Sequence, residues 1–252
     1  MKRVILNIDD FGLDNSINES IIDAHRHGVV TSTSLLVARP ATVEAVRYLL
    51  QTPSLAVGLH LDLDAIFPYE SNGHYGVTID DIDKMAYHFA LKKNINLIIT
   101  EIRNQIAQFL KYKLIPSHID GHHNVHMLPG ILQELIKVMS EYGLNKVRFS
   151  KDFYGIHNDV YNDLKSSVDG RGIKYPDYCT EIDQELPVGI IFNRLQSGTT
   201  EIIVHTDLPE GKHGDWRIEQ FLYVRKLNKK QFEEINKIQF ISYRDTHGSV
   251  KF

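Results

Sequence analysis

The chain has 252 residues, 42% of them hydrophobic, enough for one α/β domain spanning 1–252 around an ample core. Lys plus Arg number 28 against 32 Asp plus Glu, a net charge of −4, and no basic stripe or tail occurs. This excludes nucleic acid and an anionic membrane as main partners. A single cysteine, Cys179, excludes an intrachain disulfide framework and suits a reducing, cytoplasmic setting.

The opening MKRVILNIDDFG meets two aspartates after a short apolar run, so it reads as a strand over 4–8 and not as a signal peptide. No later run is long enough to span a bilayer. Asp14 and Asn15 can cap a helix whose apolar positions Ile17, Ile21, Ala24 and Val29 follow helical spacing, with Gly28 as a stop. Residues 32–37 read as a strand, 43–50 as a helix with Val46, Leu49 and Leu50 inward, and 55–61 as a third strand. The stretch 64–96, with Pro68, Gly73 and Gly76, breaks the rhythm and reads as a lid or binding loop carrying Tyr69, His74 and Tyr75. A helix near 100–112, a strand over 115–119, a helix opening at Pro129 and a strand over 146–149 follow. Residues 151–198 are irregular, with helices near 159–167 and 188–196. Strands over 201–205 and 239–243 close the set, with helical sequence in 216–237 between them. Alternating β and α units imply a parallel sheet, and about seven strands without a glycine-rich phosphate turn favour a barrel.

Active sites of parallel α/β folds lie at the carboxyl ends of the strands. The expected ends carry Asp9 and Asp10; His60 and Asp62; His118, Asp120, His122, His123 and His126; Arg148; His205 and Asp207; and Arg244, Asp245 and His247. Singly, each has an ordinary structural explanation: a turn and helix cap for Asp9-Asp10, a satisfied core histidine for His60, a solvated tail for His247. Four histidines and an aspartate within 118–126 are poor core material, and the joint placement points to a divalent metal held by imidazole and carboxylate. The i, i+4 spacing of His122 and His126 leaves a choice: if that loop is helical, His126 replaces His60 as third ligand. Pro129, expected to start the helix only after His126, favours His60.

The segments NIDDFGLDNSINESIIDAHRHGVVTSTSLLV, VGLHLDL and PSHIDGHHNVHMLPG, followed by EIIVHTD and ISYRD, resemble the YdjC-like carbohydrate deacetylases, chitooligosaccharide deacetylase among them. The match runs in order over nearly the whole chain. It implies a distorted seven-stranded (β/α) barrel of deacetylase type and a divalent metal, usually magnesium, with zinc as the other candidate. By position it implies Asp10, His60 and His122 as metal ligands, Asp9 as catalytic base and His205 as general acid. Gly121 departs from the serine expected there. Arg148, His126 and Asp120 are the candidate substrate contacts.

The function so implied is hydrolysis of the N-acetyl group of an amino sugar, a short N-acetylglucosamine oligosaccharide, by a cytoplasmic homodimer. Asp9 and Asp10 can divide base and ligand between them only if the backbone kinks, because successive strand side chains point to opposite faces. Two other classes are compatible. A metal-dependent phosphoesterase would use the same ligand types, with Arg148 and Arg244 for phosphate. A non-catalytic carbohydrate-binding protein would need aromatics such as Tyr69, Tyr75, Tyr154, Tyr178 and Trp216, but not Asp9.

Overall fold

The computed structural model describes residues 1–66, 84–154, 157–182, 188–206 and 215–246. Tyr69, His74, Tyr75, Asp207 and His247 lie outside them. Strand β1 (Lys2–Phe11) is apolar on both faces and buried along most of its length, as expected of a central strand in a parallel sheet covered on both sides. Helix α1 (Asn15–His27) begins where the Asp14 side chain accepts from the amide of Ser16. It stops at Gly28 and buries Ile17, Ile21, Ile22 and Ala24. Strand β2 (Ser32–Leu35), helix α2 (Thr42–Gln51) and strand β3 (Ala56–Leu61) follow.

In α2 the buried stripe is Thr42, Ala45, Val46 and Leu49. Leu50, expected inward, is 62% exposed, because one residue further turns the side chain about 100° around the axis, off that stripe.

Helix α3 (Lys84–Lys111) is far longer than the sequence suggests and takes up residues 84–96 of the expected 64–96 loop. Its buried face runs through Ile98, Ile102, Gln105, Ile106 and Phe109. Strand β4 (Ile119–Gly121) starts later than expected. Ile115 is 79% exposed and Pro116 has no N–H to give, so pairing begins only when Ser117 donates to the carbonyl of Val57. Helix α4 (Ile131–Glu141) opens after Gly130, whose φ of 89° favours glycine, and not at Pro129.

The expected strand at 146–149 contracts to two single-residue bridges, Ile119 with Val147 and Lys146 with Lys174. Helix α5 (Asn158–Asp169) lies close to its expected place, but strand β5 (Tyr178–Glu181), within the segment read as irregular, was not anticipated. Helix α6 (Val188–Arg194), strand β6 (Gly198–Val204), helices α7 (Asp215–Lys226) and α8 (Lys229–Asn236), and strand β7 (Ile238–Phe240) complete the chain.

All pairs are parallel, in the order β4-β3-β2-β1-β6-β5. One edge of β1 is shared: Lys2–Val4 pair with β7, and Asn7–Phe11 pair with β2. The six strands curve into a half-barrel. The bridges at Val147 and Lys174 continue hydrogen bonding from β4 towards the segment that becomes β5. No helix among the described residues is long and apolar enough to cross a membrane.

The packing of α2 gives a direct test. Leu49→Ala should cost about 2–5 kcal/mol in urea unfolding, whereas Leu50→Ala should stay within about 0.5 kcal/mol of the parent. Equal losses would mean that the helix is rotated from the position described.

Candidate active site

Parallel pairing brings the carboxyl ends of β1, β3, β4, β5 and β6 to one mouth. The decisive local feature is in β1, whose register against β2 shifts between Ile8 and Phe11 while Asp10 takes a φ of 69°. An irregularity of this kind re-aims a side chain, and aspartate tolerates the left-handed region better than most residues. Gly12 follows with a φ of 95°, and a β-carbon there would meet the carbonyl oxygen of Leu36 at 2.8 Å. The required kink is therefore present. Asp9 turns down into the barrel, and Asp10 turns to the mouth.

Asp9 is clamped by Arg148. Nη1 donates to Asp9 Oδ2 at 2.8 Å and Nη2 to Oδ1 at 2.7 Å, and the side-chain Nδ2 of Asn7 adds a third donor, to Oδ1 at 2.7 Å. Nη2 of the same guanidinium lies 2.9 Å from Asp120 Oδ2, and Nε donates to Glu201 Oε1 at 3.0 Å. Glu201 also accepts from the Tyr243 hydroxyl at 2.5 Å. Burial by itself would raise the Asp9 carboxyl, but the adjacent Arg148 outweighs it and holds Asp9 below the usual carboxylate range.

Asp10 Oδ1 lies 3.0 Å from His122 Nδ1 and 3.4 Å from His60 Nε2. Burial pushes the Asp10 carboxyl up, and the two imidazoles override it, leaving it well below its ordinary value. His60 responds in the opposite sense. Burial would lower it, but Asp120 and Asp10 raise it well above 6.5. Its Nδ1 faces Asp120 Oδ1 at 2.8 Å.

One oxygen of Asp10 and one nitrogen each of His60 and His122 lie within 4.8 Å of one another. Asp10 Oδ1 is buried without a hydrogen bond, an acceptor that a cation would satisfy. One carboxylate and two imidazoles fit a divalent ion and leave coordination positions for water and substrate.

The 122–127 segment is a short 3-10 turn, interrupted by His123 and Asn124 at φ of 54° and 57°. It is not an α-helix, so the i, i+4 spacing does not bring His126 beside His122. His126 instead points into the core and donates from Nε2 to the carbonyl of Arg148 at 3.0 Å. Burial lowers its pKa to about 3, so it is neutral. A β-carbon on Gly121 would approach His126 Nδ1 at 2.8 Å, which gives the glycine at that position a packing role.

Arg148, Asp120 and His126, expected at the substrate, are closed off beneath the mouth, each with no exposed surface. They support other site residues and do not line the opening. His118 precedes β4 and stacks on Tyr243 at 3.6 Å, in space left by Gly58. Arg244 and Asp245 are remote from the mouth. Arg244 donates to the carbonyls of Pro53 and Leu55, just before β3, and Asp245 caps its own turn at Ser242. The reason is that β7 spans only the first part of β1.

His205, just past β6, has Nε2 at 3.9 Å from Asp9 Oδ2 and Nδ1 at 3.2 Å from Glu181 Oε1. Burial would lower it, but Glu181 raises it above 6.5, aided by Asp9. Sequence reasoning missed Glu181 because β5 went unrecognised; the run Tyr178–Glu181 ahead of Ile182 was the only available sign. It also missed Asp64, held by Arg39 at 2.6 Å and lying 3.8 Å from His122 Nε2.

Loss of the clamp has a signed pH consequence. Asp9 and Asp120, both held low in the folded protein, contribute stability above about pH 4, lost as pH falls through their folded values. Arg148→Met should leave buried carboxylates uncompensated and cost about 3–5 kcal/mol at neutral pH. Chemical denaturation should show the gap to the parent narrowing as pH falls to about 4, because the variant's carboxylates, raised by burial without Arg148, take up protons in that range while the parent's do not. A pH-independent gap would assign the loss to packing alone.

The family model described as YdjC-like protein matches residues 3–235. A carbohydrate deacetylase of Clostridium beijerinckii is 27% identical over 253 residues, covering 96% of this chain and 99% of the relative. Another carbohydrate deacetylase, from Halalkalibacterium halodurans, is 30% identical over 210 residues, covering 81% of this chain and 84% of the relative. Among solved structures, a proposed cellobiose-phosphate cleavage protein of Enterococcus faecalis aligns with a TM-score of 0.66 at 24% identity, covering 96% of this chain and 97% of that one. At that identity the structural likeness speaks for the fold. With the family model spanning nearly the whole chain, the protein belongs to the YdjC-like protein family.

Proposed function

We propose that the protein is a metal-dependent carbohydrate deacetylase that hydrolyses the N-acetyl group of an amino sugar, a short N-acetylglucosamine oligosaccharide, in the cytoplasm. The observation that carries this reading is the division of two adjacent aspartates. Asp9 is bound to Arg148, and Asp10 faces His60 and His122. Asp10, His60 and His122 would hold a divalent ion, magnesium being favoured and zinc the alternative. Such an ion, when bound, lowers the pKa of water and polarises an amide carbonyl.

The chain's own residues supply the proton traffic. Asp9 is ionised at neutral pH, and its two oxygens are oriented by the guanidinium, so it can accept the proton of an attacking water. Burial works against the protonated His205, but Glu181 outweighs it and raises the imidazole above its ordinary value, so Nε2 can give a proton to the leaving amine nitrogen. The 3.9 Å between Asp9 Oδ2 and His205 Nε2 sets base and acid around one small volume, as one tetrahedral centre requires. The names of the curated relatives, carbohydrate deacetylases, support an acetylated carbohydrate as substrate, and no basic cluster among the described residues selects a phosphorylated one.

Acetate release from N-acetylglucosamine, its dimer and trimer, and their 6-phosphates tests the activity. Asp9→Asn should retain the ion and lose about 10²–10⁴-fold in turnover, whereas Asp10→Asn should lose both. Equal metal loss in the two variants would refute the division of roles. Hydrolysis of a generic phosphoester with no acetate from any sugar would favour a phosphoesterase.

The acid has its own signature. Because Glu181 raises His205, Glu181→Gln should lower its pKa and move the alkaline limb of the pH–rate profile to lower pH. An alkaline limb that stays in place would transfer the acid role away from His205.

A further inference from the structure

We propose that Asp120 is the positioning residue that makes His60 a metal ligand, and that through Arg148 it ties the metal site to the base Asp9. The inference rests on reading Asp10, His60 and His122 as the metal set.

Asp120 cannot act by contact with substrate, since its side chain is wholly buried. Its two oxygens have different tasks. Oδ1 lies 2.8 Å from His60 Nδ1, and Oδ2 lies 2.9 Å from Arg148 Nη2. His60 and Asp120 are register partners on the neighbouring strands β3 and β4, so the contact is built into the sheet and does not depend on a loop. The same Nη2 lies 2.7 Å from Asp9 Oδ1. One guanidinium nitrogen thus joins Asp120 to the base.

An imidazole can ligate a metal only through a nitrogen that carries no proton. With Nδ1 donating to Asp120, the lone pair of a neutral His60 is on Nε2, the nitrogen that faces Asp10 at 3.4 Å. Reversing the tautomer would put a proton on the ligating atom. An isosteric carboxamide exposes the dependence. Asp120 offers one oxygen to His60 Nδ1–H and sets the other as an ion pair 2.9 Å from the Arg148 guanidinium, whereas asparagine has one acceptor and an NH2 group. One donor must then face another donor. Arg148 does not give up its proton, so His60 resolves the conflict by moving its own proton to Nε2.

Glu201 provides the control. It is equally buried and meets the same guanidinium, at 2.9 Å from Nη2, but its hydrogen-bond partners are Arg148, Tyr243 and Cys179 rather than His60. Removing its charge perturbs the Arg148 cluster without touching the imidazole.

The experiment titrates the purified chain with Zn2+ and with Mn2+, alone and against a competing chelator, for the parent, Asp120→Asn and Glu201→Gln. Thermal unfolding of each metal-free form checks folding. Asp120→Asn should bind each ion about 10–100-fold more weakly than the parent, and Glu201→Gln within about threefold of it. Parental affinity in a folded Asp120→Asn, or an equal loss in both variants, would overturn the inference. Should Asp120→Asn not fold, nitrogen NMR of the Zn2+-loaded parent decides: His60 Nδ1 must carry a slowly exchanging proton, and an unprotonated Nδ1 would overturn it. A parent that binds no stoichiometric ion would remove the metal reading itself, and this inference with it.

Discussion

The guanidinium of Arg148 is the interaction on which the site depends. It is fully buried and meets three carboxylates, Asp9, Asp120 and Glu201, contributed by β1, β4 and β6. None of these groups could remain ionised alone at such depth, because desolvating a charge costs several kcal/mol that only a well-placed partner returns. The cluster draws together elements from both sides of the half-barrel. Single residues do what a regular strand would otherwise do here: Arg148 follows the isolated bridge at Val147, and its amide donates to the carbonyl of Ile119.

Above that charged layer, backbone conformations that residues seldom adopt sit beside the candidate ligands. Asp10, His123 and Asn124 have positive φ, and each such non-glycine residue costs of order 1 kcal/mol or more. At Asp10 the return is the separation of two neighbouring carboxylates onto different tasks. At His123 and Asn124 it is a turn that aims His122 at Asp10 and sends His126 into the core. Regular geometry would undo both arrangements: an unkinked β1 would not part the aspartates in this way, and an α-helical turn would set His126 beside His122.

The imidazoles differ by their neighbours. His60, between Asp10 and Asp120, and His205, beside Glu181, are both raised, while His126, with only a backbone carbonyl as hydrogen-bond partner, is pushed down to about 3. Desolvation acts to lower all three, so the partner decides the direction of the shift and burial alone does not. At His205 the Glu181 carboxylate favours the imidazolium, whereas at His60 the Asp120 carboxylate faces Nδ1 and leaves Nε2 turned to Asp10.

Much of the fold was legible in the chain itself. The apolar run ending at Asp9-Asp10, the capped helix from Asn15 and the strand ending at His60-Leu61 are local patterns, and local physics suffices to read them. The ordered motifs also identified Asp10, His60 and His122, which the fold assembles into one cluster. Other features depended on contacts between segments far apart in sequence. Ile115 sits in an apolar run yet is exposed, because Pro116 delays pairing. Tyr178–Glu181 forms a strand because β6 offers it an edge, and its own residues give little sign of it. Arg148, Asp120 and His126 stand at strand ends and read equally well as substrate contacts or as buried supports. Residue type and spacing carry no measure of depth. Only the packed barrel, with Asp9 and Glu201 closing on one guanidinium from strands nearly two hundred residues apart, decided that they lie beneath the mouth.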